Sequence, residues 1–205
     1  MSRYRGPITR LSRRLGVILF ANGESKLKAF NKKNYKPGEH GQGRFGQMSE
    51  YNKQLREKQK ARFMYGISEK QSLKYYNMAN KSEDITGVRY LQLLEMRLDN
   101  VVFRSGIAST RPQARQLVSH GLVELNGKRV KTPSILIKQG DTFGVVEKRK
   151  SSKLFEELKN DTKYKAPKWL KQNLKSLSGE VLAIPGKEDI EQIIDHQMIT
   201  EYYSK

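Results

Sequence analysis

The sequence contains no cysteine. Without thiols the chain cannot form disulfides, use a thiolate nucleophile or build a zinc site that depends on cysteine ligands. Only three histidines are present, His40, His120 and His196, and they lie about eighty residues apart without the paired spacing of a metal-binding motif. A site of histidine and carboxylate ligands has no support in the sequence. We therefore expect no metal, no cofactor and no catalytic residue.

Long apolar runs are also missing. The longest one near the N-terminus, Val17–Ala21, is too short for the core of a signal peptide or for a membrane span. Hydrophobic residues make up 36% of the chain, so we expect only a modest core. The sequence predicts a soluble protein with no membrane partner that works where it is made, unless a targeting peptide has been removed.

Positive charge, in contrast, is abundant. Lys and Arg number 40 against 21 acidic residues, a formal net charge of +19. The net charge is +8 for residues 1–50, +5 for 51–90, +6 for 91–150 and 0 for 151–205. Because an excess of this size repels itself in a compact chain unless a polyanion relieves it, the sequence indicates a nucleic-acid partner. The balanced end is typical of a segment that faces protein or solvent.

Residues 1–46 have scattered apolar side chains and many basic ones. We interpret them as an extended, mostly irregular arm that becomes ordered on RNA; the alternative is a solvated, partly disordered tail. The basic residues of this arm that we expect to bind RNA are Arg3, Arg5, Arg10, Arg13, Arg14, Lys36 and Arg44.

The arm contains a literal G-x-G-x-x-G at Gly41–Gly46. A dinucleotide site needs an apolar strand just before these glycines, but the preceding residues are polar and broken by Pro37-Gly38. We therefore expect no nucleotide cofactor and no small-molecule substrate. Glycines without Cβ let a backbone lie close to RNA phosphates, and Phe45 in this loop is our candidate for stacking on an unpaired base.

Residues 47–90 predict a helical domain. One helix is expected over 49–65 with Ser49 as its N-cap, and a second over 68–80 with Ser68 as its cap. The residues of the first helix that we expect to bind RNA are Lys58 and Arg62.

Residues 91–160 predict a compact α+β module of two helices and a short antiparallel sheet. Leu91, Leu94, Leu98 and Val101 recur at spacings of three, four and three, which predicts one amphipathic helix ending at Ser105-Gly106. A second helix is expected to begin at a Ser109 or Thr110 cap, with Pro112 in its first turn, and to end at Gly121.

The rest of this module predicts strands. Asn126-Gly127 between two apolar runs is the strongest short signal for a hairpin, and further strands are expected at 135–137 and 142–146. We expect Arg111 and Arg115, four residues apart, to share one outward helix face. The full set that we expect on one basic, RNA-binding face is Arg104, Arg111, Arg115, His120, Lys128 and Arg129. His120 has an alternative role in satisfying a carbonyl at the helix end.

The sequence of the remaining residues, 161–205, gives fewer signals of secondary structure. Residues 161–177 look like a polar connecting segment in which Trp169 anchors the packing. Residues 178–205 are interpreted as a C-terminal segment with a short strand at 181–184 and a last helix or turn over 187–203. We expect this segment to pack on the helical domain.

Three segments resemble a known RNA-binding module. Arg97–Arg104, Ala114–His120 and Asn126–Lys128 are similar to the module named after small-subunit ribosomal protein four. Some pseudouridine synthases, tyrosyl-tRNA synthetases and ribosome-rescue factors share this module, so it implies structured RNA without implying one role.

Other segments resemble the ribosomal family itself. Tyr4–Pro7, Tyr35–Gln42, Glu57–Arg62 and Ile199–Lys205 match it in the family's order and over essentially the whole chain. Because the arm lacks the four-cysteine zinc knuckle of some members, the chain resembles the zinc-free branch. The resemblance implies an α+β fold in which the module is inserted into a mainly helical domain, with the last helix packed against the helices near 49–80.

The implied function is that of a structural constituent of the small ribosomal subunit that binds the 5′ domain of its rRNA at a multi-helix junction early in assembly. The implied neighbours are small-subunit proteins three and five, near the point where mRNA enters, with an influence on decoding accuracy. In some bacteria the family represses its own operon. The opening residues resemble plastid and cyanobacterial members, yet we favour a bacterial cytoplasmic ribosome over a plastid one.

Two alternatives remain. Arg97-Leu98-Asp99 matches the tripeptide around the catalytic aspartate of some pseudouridine synthases, but too few residues are left for a catalytic domain. We expect Asp99 to pair with a nearby arginine, and we expect no enzymatic activity. A ribosome-rescue or heat-shock factor with the same module is the other alternative, but such factors are generally shorter and lack the basic arm.

Overall fold

The computed structural model describes residues 4, 6–19, 24–43, 47–159, 164 and 166–204. The α-helices in this part are α1 (Ile8–Leu15), α2 (Glu24–Lys32), α3 (Glu50–Met64), α4 (Glu69–Ala79), α5 (Thr86–Glu95), α6 (Leu98–Arg104), α7 (Arg111–Ser119), α8 (Lys153–Lys159) and α9 (His196–Tyr203). The strands are β1 (Val123–Leu125), β2 (Lys128–Val130), β3 (Thr142–Val145), β4 (Leu170–Asn173) and β5 (Ser178–Val181). The fold is therefore α+β and mainly helical, as predicted.

The chain divides into two compact units. Unit 1 contains residues 1–81 and 193–205, and unit 2 contains residues 82–192. The domain boundary expected at residue 90 therefore lies earlier. Unit 2 also retains residues 178–192, which the sequence assigned to the helical domain, because β5 pairs in the middle of its sheet.

In unit 1 the basic arm is more regular than the sequence indicated. Its residues form α1 and α2, and a 3₁₀ turn covers Glu39–Gln42. Leu11 and Leu19 are buried, and α1 ends at Gly16, which takes a φ of 74° and donates its N–H to Ser12 O over 2.8 Å. The expectation of a mostly irregular arm was wrong because two buried leucines and a glycine C-cap suffice to end and anchor a short helix.

The helices α3 and α4 begin at the caps predicted for them. Ser49 Oγ accepts from Asn52 N, and Ser68 Oγ accepts from Gln71 N, each over 3.4 Å. Gly66, with a φ of 62°, lies between the two helices. At both helix starts a local side-chain hydrogen bond satisfies a free backbone N–H.

The last helix is shorter than the predicted 187–203. It begins only after Asp195, whose Oδ1 accepts from Gln197 N over 2.9 Å. It packs against α3, where Gln54 Nε2 donates to Glu201 Oε2 over 2.9 Å. Ile199, in the middle of α9, is fully buried.

In unit 2 the single helix expected through Leu94, Leu98 and Val101 is broken. Its two parts are α5 and α6, and between them Arg97 is extended with a φ of −71° and a ψ of 140°. Arg97 forms an isolated bridge with Leu136, which replaces the strand predicted at 135–137. The three apolar residues are nevertheless all buried, so the spacing was informative although the helix does not continue.

The second helix of the module, α7, agrees with its prediction. Thr110 Oγ1 accepts from Gln113 N over 3.2 Å, and Pro112 lies in the first turn. His120 is the C-cap residue, and Gly121 follows with a φ of 66°.

The sheet of unit 2 is antiparallel with the strand order β2-β1-β3-β5-β4. Asn126 and Gly127 join β1 to β2 with φ values of 50° and 74°, as the hairpin prediction required. The predicted connecting segment instead supplies β4, and the strand expected at 181–184 lies at 178–181. Gly179 sits beside Phe143, whose Cζ would be 2.6 Å from an added Cβ, so β3 and β5 pack only with glycine there.

The core of unit 2 lies between this sheet and the helices. Val101, Leu117 and Phe143 are buried in one cluster with Trp169, which confirms the predicted anchor. Phe155 of α8 is buried in the same cluster, although the sequence predicted no helix there.

Candidate nucleic-acid interface

Three of the predicted RNA-binding residues lie in two neighbouring segments, the C-terminal end of α7 and strand β2. Lys128 and Arg129 lie in β2 directly after the hairpin turn, and both are exposed, as is His120. Arg129 donates through Nε to Gly121 O over 2.6 Å and through Nη2 to His120 O over 3.3 Å. A side chain at Gly121 would place Cβ 2.7 Å from Arg129 Nε, so the glycine makes this approach possible. We call His120, Lys128 and Arg129 the exposed basic cluster.

Side-chain and backbone hydrogen bonds hold the turn between β1 and β2. Asn126 Nδ2 donates to Asp141 Oδ1 over 2.8 Å, and Asn126 Oδ1 accepts from Thr142 N over 2.9 Å. Asp141 Oδ2 in turn accepts from Lys138 N over 2.7 Å. Since side chain and backbone together hold the turn, the two basic residues after it project from a rigid support.

Arg111 and Arg115 were expected on an outward helix face. The expected exposure was wrong, because each side chain is only 13% exposed. Arg111 Nε donates to Asn100 Oδ1 over 2.8 Å, and its Nη2 donates to Glu191 Oε1 over 2.7 Å. Its guanidinium carbon lies 4.6 Å from the centre of the Phe103 ring. Arg111 is thus held on three sides by residues of unit 2.

Arg104 shares these partners. It grips Glu95 with two hydrogen bonds, Nε to Oε2 over 3.0 Å and Nη2 to Oε1 over 2.8 Å, and Nη2 also donates to Glu191 Oε1 over 2.9 Å. Glu95 is fully buried and also accepts from Asn100 Nδ2 over 2.6 Å. We call Glu95, Asn100, Arg104, Arg111 and Glu191 the Glu95 network; its two carboxylates balance its two guanidinium groups.

A second ion-paired group lies on the same helices. Arg97, fully buried, donates to Asp99 through Nε over 3.0 Å and through Nη2 over 2.8 Å. Arg115 Nη1 donates to Asp99 Oδ2 over 3.2 Å. This confirms the expectation that Asp99 pairs with arginine. A carboxylate that balances two arginines is a structural counter-ion and a poor candidate for a catalytic base.

Tyr164 contacts the Glu95 network at Arg104. Its hydroxyl donates to Arg104 O over 3.0 Å, and its own carbonyl accepts from Gln172 Nε2 over 3.2 Å. Burial raises the pKa of the Tyr164 hydroxyl, against the opposing charges of Arg104 and Arg111. The phenol therefore stays protonated and remains a donor near neutral pH.

In unit 1 the prediction that Lys58 binds RNA was wrong, because its side chain is buried. Lys58 Nζ lies 2.8 Å from Glu69 Oε1 and 4.5 Å from the centre of the Tyr202 ring. Arg62 Nη1 reaches the same carboxylate over 3.2 Å, yet this arginine is partly exposed. Burial tends to raise the pKa of Glu69, but the hydrogen bond and charge of Lys58, with hydrogen bonds from Tyr203 and Arg62, lower it on balance.

The RNA-binding residues predicted in the basic arm differ in their exposure. Arg10 and Arg14 are exposed on α1, and Lys36 is partly buried. Arg13 donates through Nε to Tyr35 O over 2.9 Å and stacks over the Tyr35 ring at 4.7 Å. The predicted residues that lie outside the described part of the chain are Arg3, Arg5, Arg44 and Phe45.

The described half of the glycine motif does not resemble a dinucleotide site. Gly41 and Gln42 belong to the 3₁₀ turn, and a Cβ on Gly41 would overlap Lys36 O. Within residues 24–43, the segment before the motif is helix α2 and irregular chain, with no strand. The glycine serves a close backbone approach within the arm.

One cleft was not anticipated. A cleft of about 710 Å³ lies along β3, β4 and β5 and is lined by Thr142, Gly144 and Ser178, with Lys171 and Lys175 beside them. Nothing in the polar segment 161–177 predicted a strand, so these lysines were not selected from the sequence.

The sequence matches two described families. The family described as ribosomal protein S4/S9 N-terminal domain matches residues 3–95, and the S4 domain matches residues 96–143. Small ribosomal subunit protein uS4 of Desulfitobacterium hafniense is 45% identical over 208 residues, which cover 100% of both chains. The corresponding proteins of Alkaliphilus oremlandii (uS4A) and Caldicellulosiruptor saccharolyticus are 46% and 48% identical, again over 100% of both chains.

The chain belongs to the uS4 family of ribosomal proteins. The resemblance stated from the sequence motifs is confirmed. The S4 domain of this uS4-family chain begins at residue 96, where α5 has ended, and covers α6, α7, β1 and β2, which carry the exposed basic cluster. The relatives are named as ribosomal proteins, so the chain is not an enzyme.

Among the residues that the structure describes, no group of three or more His, Asp or Glu side chains is arranged to hold a metal ion. No helix in the same part of the uS4-family chain is long and apolar enough to cross a membrane.

Proposed function

We propose that this uS4-family chain is a structural constituent of the small ribosomal subunit that binds the 5′ domain of the rRNA directly and nucleates assembly. The observation that supports the proposal is the exposed basic cluster, in which the Arg129 side chain donates to the backbone carbonyls of His120 and Gly121 and so holds β2 against the end of α7. The net charge of +19 supplies the long-range attraction.

The binding mechanism combines charge and shape. Lys128 and Arg129 neutralise phosphates and release counter-ions, which gives a salt-dependent affinity. Such contacts position the protein but do not read sequence. Because the major groove of an RNA helix is too narrow for side chains, a junction is recognised by the geometry of its phosphates and 2′-hydroxyls. A rigid turn followed by cations suits that kind of recognition, since Arg129 is already held by two backbone carbonyls and loses little side-chain entropy on binding.

The other basic residues contribute to RNA binding to different extents. Arg10, Arg13, Arg14, Lys36 and Arg62 extend the RNA contact over unit 1, and residues 1–46 wrap the RNA. Arg104, Arg111 and Arg115 are paired with carboxylates of unit 2 in the free chain. Lys58 is left out because it is buried.

The proposal extends to the surroundings of the chain. We place it in a bacterial cytoplasmic ribosome, with a plastid ribosome as the alternative, because the compared relatives are bacterial small-subunit proteins. Its proposed neighbours are small-subunit proteins three and five, near the point where mRNA enters, where it influences decoding accuracy. The neutral net charge of residues 151–205 favours protein neighbours for that part.

The experiment is filter binding of the purified chain to a transcript of the rRNA 5′ domain and to an unrelated junction RNA of equal length, at low and moderate salt. We expect a preference of about a hundredfold or more for the 5′ domain that survives the salt increase. Lys128→Ala with Arg129→Ala should reduce that preference, whereas the matched double variant Lys70→Ala with Lys74→Ala, which removes two exposed charges from α4, should change it less. Equal binding to both RNAs that fades together with salt would contradict the proposal.

A further inference from the structure

The carboxylate of Glu191 lies between two arginines of the S4 domain. Its Oε1 accepts from Nη2 of Arg104 over 2.9 Å and from Nη2 of Arg111 over 2.7 Å. Glu191 belongs to residues 182–195, which contain neither helix nor strand. Its partners lie 87 and 80 residues earlier in the chain, so the contact is a tertiary one.

The two acidic members of the Glu95 network differ in their attachment. Glu95 is fully buried on α5 and is held by Arg104 and Asn100. Glu191 is 20% exposed, and its ion pairs with Arg104 and Arg111 are both made through Oε1. Glu95 is therefore a fixed counter-ion, whereas Glu191 is the carboxylate of the network that solvent reaches.

The position of that oxygen matches an anion site. Two guanidinium N–H groups converging on one oxygen at 2.7–2.9 Å is the arrangement by which arginines bind a non-bridging phosphate oxygen. Asn100 Oδ1 and the Phe103 ring hold Arg111 independently of Glu191. The cationic pair would thus keep its orientation when one anion replaces another.

We propose that Glu191 occupies a phosphate site formed by Arg104 and Arg111, and that an RNA phosphodiester displaces it on binding. The inference rests on the proposed function, since it needs RNA as the incoming polyanion. The exchange replaces one anion by another, so neither arginine is left buried without a counter-charge. Glu191 makes the free chain a weaker binder of polyanions in general, because a phosphate must displace a carboxylate that is already in place.

The test uses Glu191→Gln, which keeps the shape and the acceptor oxygen but removes the charge that competes with phosphate. Its matched control is Glu188→Gln, which removes the same charge from an exposed position three residues earlier. In filter binding to the 5′-domain transcript at moderate salt, we expect Glu191→Gln to bind about three- to tenfold tighter than wild type, the effect of one close charge pair. Glu188→Gln should change affinity by less than about twofold, as a screened surface charge does.

Binding by Glu191→Gln that is no tighter than that of Glu188→Gln would overturn the inference. The unrelated junction RNA, measured in parallel, separates this failure from that of the proposed function. If wild type shows no preference for the 5′ domain, the proposed function is contradicted, whereas tighter binding of Glu191→Gln to both RNAs still supports a carboxylate that competes with phosphate.

A second measurement uses the wild-type chain, so it does not require any variant to fold. In the wild-type chain, the ¹³C chemical shift of the Glu191 carboxylate should move, on addition of the 5′-domain RNA, toward the value of the exposed Glu188. An unchanged Glu191 signal in the saturated complex would contradict displacement.

Discussion

The ammonium group of Lys58 lies 2.8 Å from the Glu69 carboxylate and 4.5 Å from the centre of the Tyr202 ring, so a residue of α3 joins α4 to the closing helix α9. Tyr203 completes the group by donating its hydroxyl to Glu69 Oε1 over 3.0 Å. The positive charge of Lys58 is therefore paired with a carboxylate inside unit 1. A lysine in a basic helix was expected to face RNA, and its actual role is structural.

The first prediction concerns Lys58→Ala. Because it removes a buried cation and its packing against Tyr202, we expect the free energy of unfolding to fall by about 2–4 kcal/mol. Urea denaturation followed by circular dichroism measures this loss. The exposed Lys70→Ala on α4 is the matched control and should change stability by less than about 0.5 kcal/mol. A drop in RNA affinity without a drop in stability would show that Lys58 faces RNA after all.

The second prediction is a pH dependence that arises from Glu69. Its pKa is lowered in the folded chain from the ordinary value of 4.5, so the unfolded chain binds the proton more readily. The stabilising contribution is present above pH 4.5 and is lost as the pH falls through the lowered folded-state pKa. Unfolding free energies measured between about pH 6 and pH 3 should therefore fall less steeply in Glu69→Gln than in wild type. The exposed Glu39→Gln should retain the wild-type slope, and a Glu69→Gln curve parallel to wild type would refute this prediction.

The third prediction concerns Asp99, which resembles a catalytic aspartate in its local sequence. Asp99→Asn leaves the fully buried Arg97 without its counter-ion, and we expect a loss of about 3–5 kcal/mol in the free energy of unfolding. Asp84→Asn, which weakens only a 3.9 Å surface pair with Arg89, serves as the control and should lose under about 1 kcal/mol. Wild-type stability in Asp99→Asn would mean that the pair is not structural.

The fourth prediction concerns salt. If Lys128 and Arg129 each neutralise one phosphate, replacing both by alanine should lower the slope of log affinity against log salt by about 1.5. The measurement is a salt titration of binding to the 5′-domain transcript. Arg111→Ala with Arg115→Ala should in addition lower thermal stability, since each side chain is bound to internal carboxylates. A slope unchanged in the Lys128/Arg129 variant would place these residues away from the RNA.

Features that depend on neighbours in sequence were predictable. The caps Ser49, Ser68 and Thr110 act on residues three positions later, and the Asn126-Gly127 turn is signalled by two residues that readily adopt its positive φ values. The resemblance of several short motifs to the ribosomal family was equally local information, and it was confirmed. The exposure of Lys128 and Arg129 followed from their place after a hairpin turn.

Features that depend on distant partners were not predictable from one sequence. Arg111 looked like an outward cation until Glu191, 80 residues later, was placed against it. Strand β4 lies in a polar segment whose apolar residues are too few to show an alternating pattern, yet pairing with β5 makes it a strand. Strand β5 begins three residues before the strand expected at 181–184, because it pairs with β3 and β4 on its two sides. The break at Arg97 arises because residues 135–137 supply backbone hydrogen bonds to residues 96 and 98, which no helical periodicity reveals.

The most direct test of the central claim uses the absence of cysteine. Lys128→Cys introduces a single thiol to which an iron chelate can be attached, and the wild-type chain treated in the same way is the blank. Hydroxyl radicals generated in a complex with full-length small-subunit rRNA cut the backbone close to that position. The proposal predicts strong cuts confined to the 5′ domain around one multi-helix junction. Cuts spread over all rRNA domains, or none above the blank, would contradict it.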